Sequence, residues 1–160
     1  MGDDQIEVVD GDSRLDEWIT KLEKNLIKSQ EEIERLKAQQ QEAADRNRKV
    51  QEATNAVNSK NPARRIQGAR DLARYAGAGG VDALIYLMQT DRNYDVRIAA
   101  ANALGSLGRA ARGAVRHLQG LLAQPPYEPP INATREQLEM QMKDGDYRKA
   151  MHDALRRIQG

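Results

Sequence analysis

From Leu15 onward, apolar residues return every three or four positions. Alternating steps of four and three land on Leu15, Ile19, Leu22, Leu26, Ser29, Ile33, Leu36, Gln40, Ala43, Asn47, Val50, Thr54 and Val57. No Pro or Gly interrupts residues 15–57, and the strong helix formers Ala, Leu, Glu, Lys, Gln and Arg fill them. The pattern predicts one continuous helix over residues 14–58. With Leu15 at heptad position d, the a positions are Ile19, Leu26, Ile33, Gln40, Asn47 and Thr54, an unbroken coiled-coil register. At roughly 1.5 Å per residue such a helix reaches about 65 Å, too long to lie along one small domain, so it needs a partner helix. Ile at a with Leu at d, and Asn47 at a further a position, favour a parallel homodimer, with a trimer as the alternative. The expected oligomerisation seam is Leu15, Ile19, Leu22, Leu26, Ile33, Leu36, Asn47 and Val50. Glu32 at g faces Lys37 at the next e across such a pair, and Trp18 and Ile27 widen the apolar stripe.

The run Asn58-Ser59-Lys60-Asn61-Pro62 punctuates the chain, giving a linker at 59–62 and placing Pro62 where a helix first turn accepts it. Beyond it the chain repeats. Residues 93–108 align with 61–76 at an offset of 32, matching Arg97 to Arg65, Ile98 to Ile66, Ala101 to Ala69 and Leu104 to Leu72. A fainter third copy at 146–158 lies 51 residues beyond the second, the surplus holding a Pro-rich insert at 124–130 and one short helix. Second helices fill the gaps, with stripes at Val81, Leu84, Ile85 and Met88, and at Ala111, Val115, Leu118 and Leu122. The fold class is therefore all-α: a long N-terminal coiled-coil helix, then a short α-α solenoid at 61–160. Its units are 61–90, 91–123 and a divergent capping unit at 131–160. The expected repeat core is Ile66, Leu72, Ile98, Ala101, Leu104, Leu107, Val115, Leu118, Leu155 and Ile158. Ala99, Ala100 and Ala103 let neighbouring backbones approach so that units stack.

The run Asp95-Val96-Arg97, followed by Ala99-Ala100 and by Ala103-Leu104-Gly105-Ser106-Leu107-Gly108, resembles the signature of HEAT repeats, in particular the short class named for phycobilisome lyases. The resemblance is most specific over 91–123, weaker over 61–90 and faint over 131–160. It implies an α-solenoid binding scaffold in which Asp95 and Arg97 are ladder residues that pair between adjacent repeats. Lyase activity does not follow from it, because one fold hosts many functions and no chromophore-site residues are matched.

Composition agrees with helices: aromatics are 4% of the chain and Phe is absent, too few for a sheet core. The net charge of +1 conceals a split. Residues 1–60 carry 10 basic and 14 acidic side chains, and residues 61–160 carry 15 and 10. Asp3, Asp4, Glu7, Asp10 and Asp12 make residues 1–13 an acidic tail expected to be disordered. In the basic half, Arg109, Arg112 and Arg116 stand at i, i+3 and i+7, and the last helix adds Arg148, Arg156 and Arg157. These are the candidate partner-binding residues. Their expected partner is another protein through an acidic segment, with nucleic acid the lesser alternative at so modest an excess of charge.

Chemistry is sparse. There is no Cys, and His117 and His152 stand apart without metal-ligand spacing, so no catalytic residue, metal or cofactor is expected. Gly77-Ala78-Gly79-Gly80 reads as a hinge, Thr134 with Gln137 as a capping box, and Asp144-Gly145-Asp146 as a turn whose Asp146 caps the last helix. No stretch has the roughly 20 apolar residues of a bilayer span, and the acidic start lacks the marks of an export signal. A cytoplasmic protein without a membrane association is expected. The resulting reading is a non-enzymatic adaptor, oligomerised by its coil and binding a partner through its helical head. The alternatives are a building block of a larger assembly and a nucleic-acid-associated protein.

Overall fold

The computed structural model describes residues 11–160, with side chains from Ser13 onward. The expected acidic tail thus lies outside the described residues except for 11–13, which form the first turn of a helix. The fold is all-α, with no strand among the described residues. It consists of α1 (Gly11–Val57), α2 (Pro62–Asp71), α3 (Val81–Thr90), α4 (Tyr94–Ser106), α5 (Val115–Ala123) and α6 (Arg135–Gln159). None of these helices is long and apolar enough to cross a membrane.

The chain divides into two units, the first ending at Asp45 and the second running from Arg46 to Gly160. The described part of the first is α1 up to Asp45; the whole helix, 47 residues, crosses into the second unit, its length as expected from a stretch free of Pro and Gly after Asp12. The second is a helical head. Sequence punctuation places the start of the head at 61, but the structure starts it inside α1. Ala53 and Val57 are buried there and belong to the same core as Leu84, Leu104 and Ile158. Their contact with α2 is close: a Cβ on Gly68 would sit 2.7 Å from the Val57 nitrogen and 2.9 Å from the Ala56 Cβ. Gly68→Val should therefore push α2 away from the end of α1 and destabilise the head by about 1–3 kcal/mol in chemical denaturation.

Two helix pairs repeat within the head. Asn61 caps α2 by accepting from the Ala63 N–H, and Asn93 caps α4 by accepting from Asp95 and Val96. Each first helix ends at a glycine with positive φ, Gly77 at 54° and Gly108 at 52°, a conformation that favours glycine. Thirty-two residues separate the two caps and thirty-one separate the two glycines. The extra residue of the first copy is taken up by a π-helical turn at Leu72–Ala76. Short 3-10 segments then lead into α3 and α5.

The last element departs from expectation. In place of a helical pair over 131–160 there is one 25-residue helix, α6, opened by a reciprocal Thr134–Gln137 capping box. Asp144-Gly145-Asp146 lies inside it, so Asp146 caps nothing. Burial explains why a local turn signal yields to helix. Tyr147, Ala150, Met151, Ala154 and Ile158 line one side of α6 and are buried, which outweighs the cost of about 1 kcal/mol for one mid-helix glycine. Against α4 the approach is tight, a Cβ on Gly105 falling 3.0 Å from the Ala154 Cα.

Leu84, Met88, Leu104, Leu118, Met151, Ile158 and Val96 are the largest fully buried side chains. Of the expected core, Leu72, Ala101, Leu104, Leu118 and Ile158 are buried. Ile66, Ile98, Leu107, Val115 and Leu155 are half-buried against the rest.

Candidate functional site

An arginine stands at the same place in each first helix of the head. Arg65, on α2, faces Asp91 just past the end of α3, with Nε 2.6 Å from Oδ2 and Nη2 2.9 Å from Oδ1, a bidentate pair. Its Nη1 donates to the Ser59 and Lys60 carbonyls at 3.0 and 3.1 Å. The side chains are 16% and 6% exposed. Burial pushes the Asp91 carboxyl up, but hydrogen bonds from Arg65 and the Asn93 N–H, with the charges of Arg65 and Arg97, hold it below the usual carboxylate range. The Asp91 hydrogen bond raises Arg65 in turn.

Thirty-two residues on, Arg97 repeats one half of this arrangement. Its Nε donates to the Asp91 carbonyl at 2.6 Å, where Arg65 places Nη1 on the equivalent Ser59 carbonyl. The guanidinium lies 5.3 Å from the Tyr94 ring centre and 5.6 Å from that of Tyr147, two rings set edge to face. The ladder is thus Arg65, Asp91 and Arg97. Asp95, expected within it, pairs instead with Lys143 at 2.9 Å on the half-exposed surface.

Arg97 opens into a cleft of about 400 Å³ lined by Gln89, Tyr94, Gln124, Tyr127, Asp144 and Arg148 among others. Tyr147 anchors its floor by donating its hydroxyl to the Met88 carbonyl at 2.7 Å. Burial, reinforced by Tyr94 and Asp144 against the opposing charge of Arg97, pushes the Tyr147 phenol up to about 12. Tyr94 is raised too, by burial first and then by the Asp144 charge. Asp144 accepts the Tyr127 N–H at 3.0 Å, fastening the Pro-rich insert to α6.

The family model for HEAT repeats matches residues 50–139. The chain belongs to this HEAT repeat family. No curated protein and no solved structure matches it. HEAT repeats are commonly protein–protein interaction scaffolds, and the match begins inside α1, ahead of the punctuation at 61 and within the structural head.

In this HEAT head the expected arginine stripe is not a single helix face. Arg109 and Arg112 lie on the 3-10 segment Gly108–Ala114, broken at Ala111 with φ −92° and ψ 21°, and Arg116 stands on α5. All three are exposed. Spacing of i, i+3 and i+7 presumes a continuous α-helix, but the chain is 3-10 up to Ala114, breaks at Ala111 and becomes α-helical only at Val115. Arg148 is held within the fold, its Nη1 donating to the Gln124 carbonyl at 3.0 Å and its Nη2 to that of Leu122 at 2.8 Å, the open end of α5. Arg156 pairs with Asp153 one turn back, and Arg157 is exposed. Of the six arginines expected to bind a partner, only Arg148 lines the cleft. Arg97 was legible in the sequence as a repeat-equivalent of Arg65, but its role in a cleft was not.

Among the described residues no three of His, Asp and Glu gather to hold a metal ion. In the first unit the apolar seam is bare. Leu15, Ile19, Leu22, Leu26, Ile33 and Leu36 are 42–61% exposed, and Trp18 and Ile27 beside them are exposed as well. Asn47 is exposed and Val50 half-buried, and both fall in the second unit, after Asp45. Lys37, expected to reach Glu32 of another chain, pairs with Glu34 of its own helix at 3.0 Å.

Proposed function

We propose that this chain is an oligomerising, non-enzymatic scaffold of the short HEAT-like class, in which a parallel two-stranded coil brings together two helical heads that each bind a partner protein. The supporting observation is the apolar seam of α1. Six large side chains in heptad register stand exposed on a helix that, among the described residues, has no other element of its own unit to cover them. Contiguous exposed apolar surface of this kind marks an interaction site. A second copy fits it, because Ile at a and Leu at d is the two-stranded pattern and both chains carry it. Pairing two heads raises the effective strength of any contact each makes with a partner that offers repeated sites.

Orientation can be read directly, since the chain has no cysteine of its own. Leu22→Cys supplies a single thiol at a d position. Mild oxidation of this variant should give a disulfide-linked dimer, because equivalent d residues face each other in a parallel, in-register pair. An antiparallel pair would instead set d positions against a positions of the other chain and leave Leu22→Cys chains unlinked to themselves. Absence of any self-linked product contradicts the parallel coil.

A further inference from the structure

The two repeats differ at one rung. Asp91 is the residue that ends α3, with φ −66° and ψ 136°, and the residue that ends α5 in the same way is Gln124, with φ −69° and ψ 145°. Arg65 faces the side chain of Asp91. By the same repeat relation Arg97 faces the place of Gln124, and both line one cleft. An amide at that rung carries no charge to match a guanidinium. Among the described residues no carboxylate comes within ion-pair distance of Arg97, whose one hydrogen bond within the protein is from Nε to the Asp91 carbonyl. The cleft's own carboxylate, Asp144, is turned to the Tyr127 N–H. Arg97 is therefore a cation fixed by one backbone bond and two rings, with its Nη groups left to the cleft.

We propose that this cleft binds a carboxylate side chain from an acidic segment of a partner protein, which meets the Nη groups of Arg97 and supplies the charge partner that Asp91 supplies to Arg65. The assignment rests on the reading of the head as a protein-binding module and names the chemistry of what it binds. Fixed in place by the Tyr94 and Tyr147 rings, the guanidinium pays little ordering entropy on gripping a planar carboxylate in two-point fashion. Gln124 lines the same cleft with an amide. Tyr127 stands at the mouth on the Pro-rich insert, where an extended peptide would pass.

The test uses the full chain and a fluorescently labelled oligoglutamate peptide at low salt, read by anisotropy, beside oligoglutamine and single-stranded oligothymidylate. Oligoglutamate should bind in preference to both. Arg97→Gln should weaken it about tenfold, the usual worth of a charge-assisted hydrogen bond. Gln124→Glu should weaken it comparably by a different route, supplying the missing carboxylate from within and raising the melting temperature. This second variant removes nothing that Arg97 uses, so it stays informative if Arg97→Gln loses helicity. Unchanged binding in Gln124→Glu, preference for oligothymidylate, or no binding at all overturns the proposal. So does loss confined to an Arg109→Gln/Arg112→Gln variant, which moves the site to the 3-10 segment. Self-linking through Leu22→Cys, measured on the same chain, reports on the coil independently.

Discussion

Asp91→Ala should lower the folding stability of the head by about 3–5 kcal/mol, read as a fall in the urea midpoint with little change in slope. The cost comes from what is left behind. Arg65, with its side chain 16% exposed, keeps a full charge and loses both carboxylate contacts. The N–H of Asn93, the residue that caps α4, loses its acceptor as well. Removing both partners in an Arg65→Leu/Asp91→Leu variant should cost less than Asp91→Ala alone, since no buried charge is then stranded. The pH dependence has a definite sign. Asp91 is held below its unfolded value of about 3.9, so the pair's contribution is complete above that value. It is lost as pH falls through the lower, folded value. The acid limb of the wild-type stability curve should therefore be steeper than that of Asp91→Ala, and parallel limbs would show that the pair adds nothing to folding.

The second large effect belongs to the apolar core. Leu104 of α4 is fully buried, in the same cluster as Leu84, Met88 and Ile158. Leu104→Ala should cost about 3–5 kcal/mol, combining lost transfer energy with the cavity that closely packed helices cannot collapse around. Leu26→Ala makes the contrast. Leu26 is 61% exposed in a single chain, so its loss should leave head unfolding within about 0.5 kcal/mol of wild type. What it should change is the concentration dependence of the mass. Comparable unfolding losses for the two variants would mean that the seam is covered within one chain.

Local signals carried most of the fold. The caps at Asn61, Asn93 and Thr134 are short-range hydrogen bonds between residues two or three apart, and Pro62 and the repeat offset are visible in the chain itself. What the sequence concealed was decided at longer range. The transition from the first unit to the head falls inside one helix, where no Gly, Pro or cap marks it. Only the burial of Ala53 and Val57 beside Gly68 sets it. Gly145 between two aspartates has the chemistry of a turn, yet α6 runs through it because Tyr147 and Met151 are buried beyond. Arg109, Arg112 and Arg116 do not share one helix face for the opposite reason: a helix was presumed where Gly108 at φ 52° turns the chain into a 3-10 segment. The cleft needed three segments at once, α4 for Arg97, the insert for Tyr127 and α6 for Asp144 and Tyr147. No periodicity relates residues so far apart, but the absence of an acidic residue matching Asp91 near the end of the second repeat was there to be read.

Pairing of two copies through the seam of α1 can be measured by light scattering on the full chain across a range of concentrations. A Leu22→Lys/Leu26→Lys variant should be measured beside it. The expected result is twice the 17.9 kDa monomer mass for the wild-type chain and the monomer mass for the variant, at unchanged head stability. A wild-type chain that stays at 17.9 kDa at every concentration would contradict it.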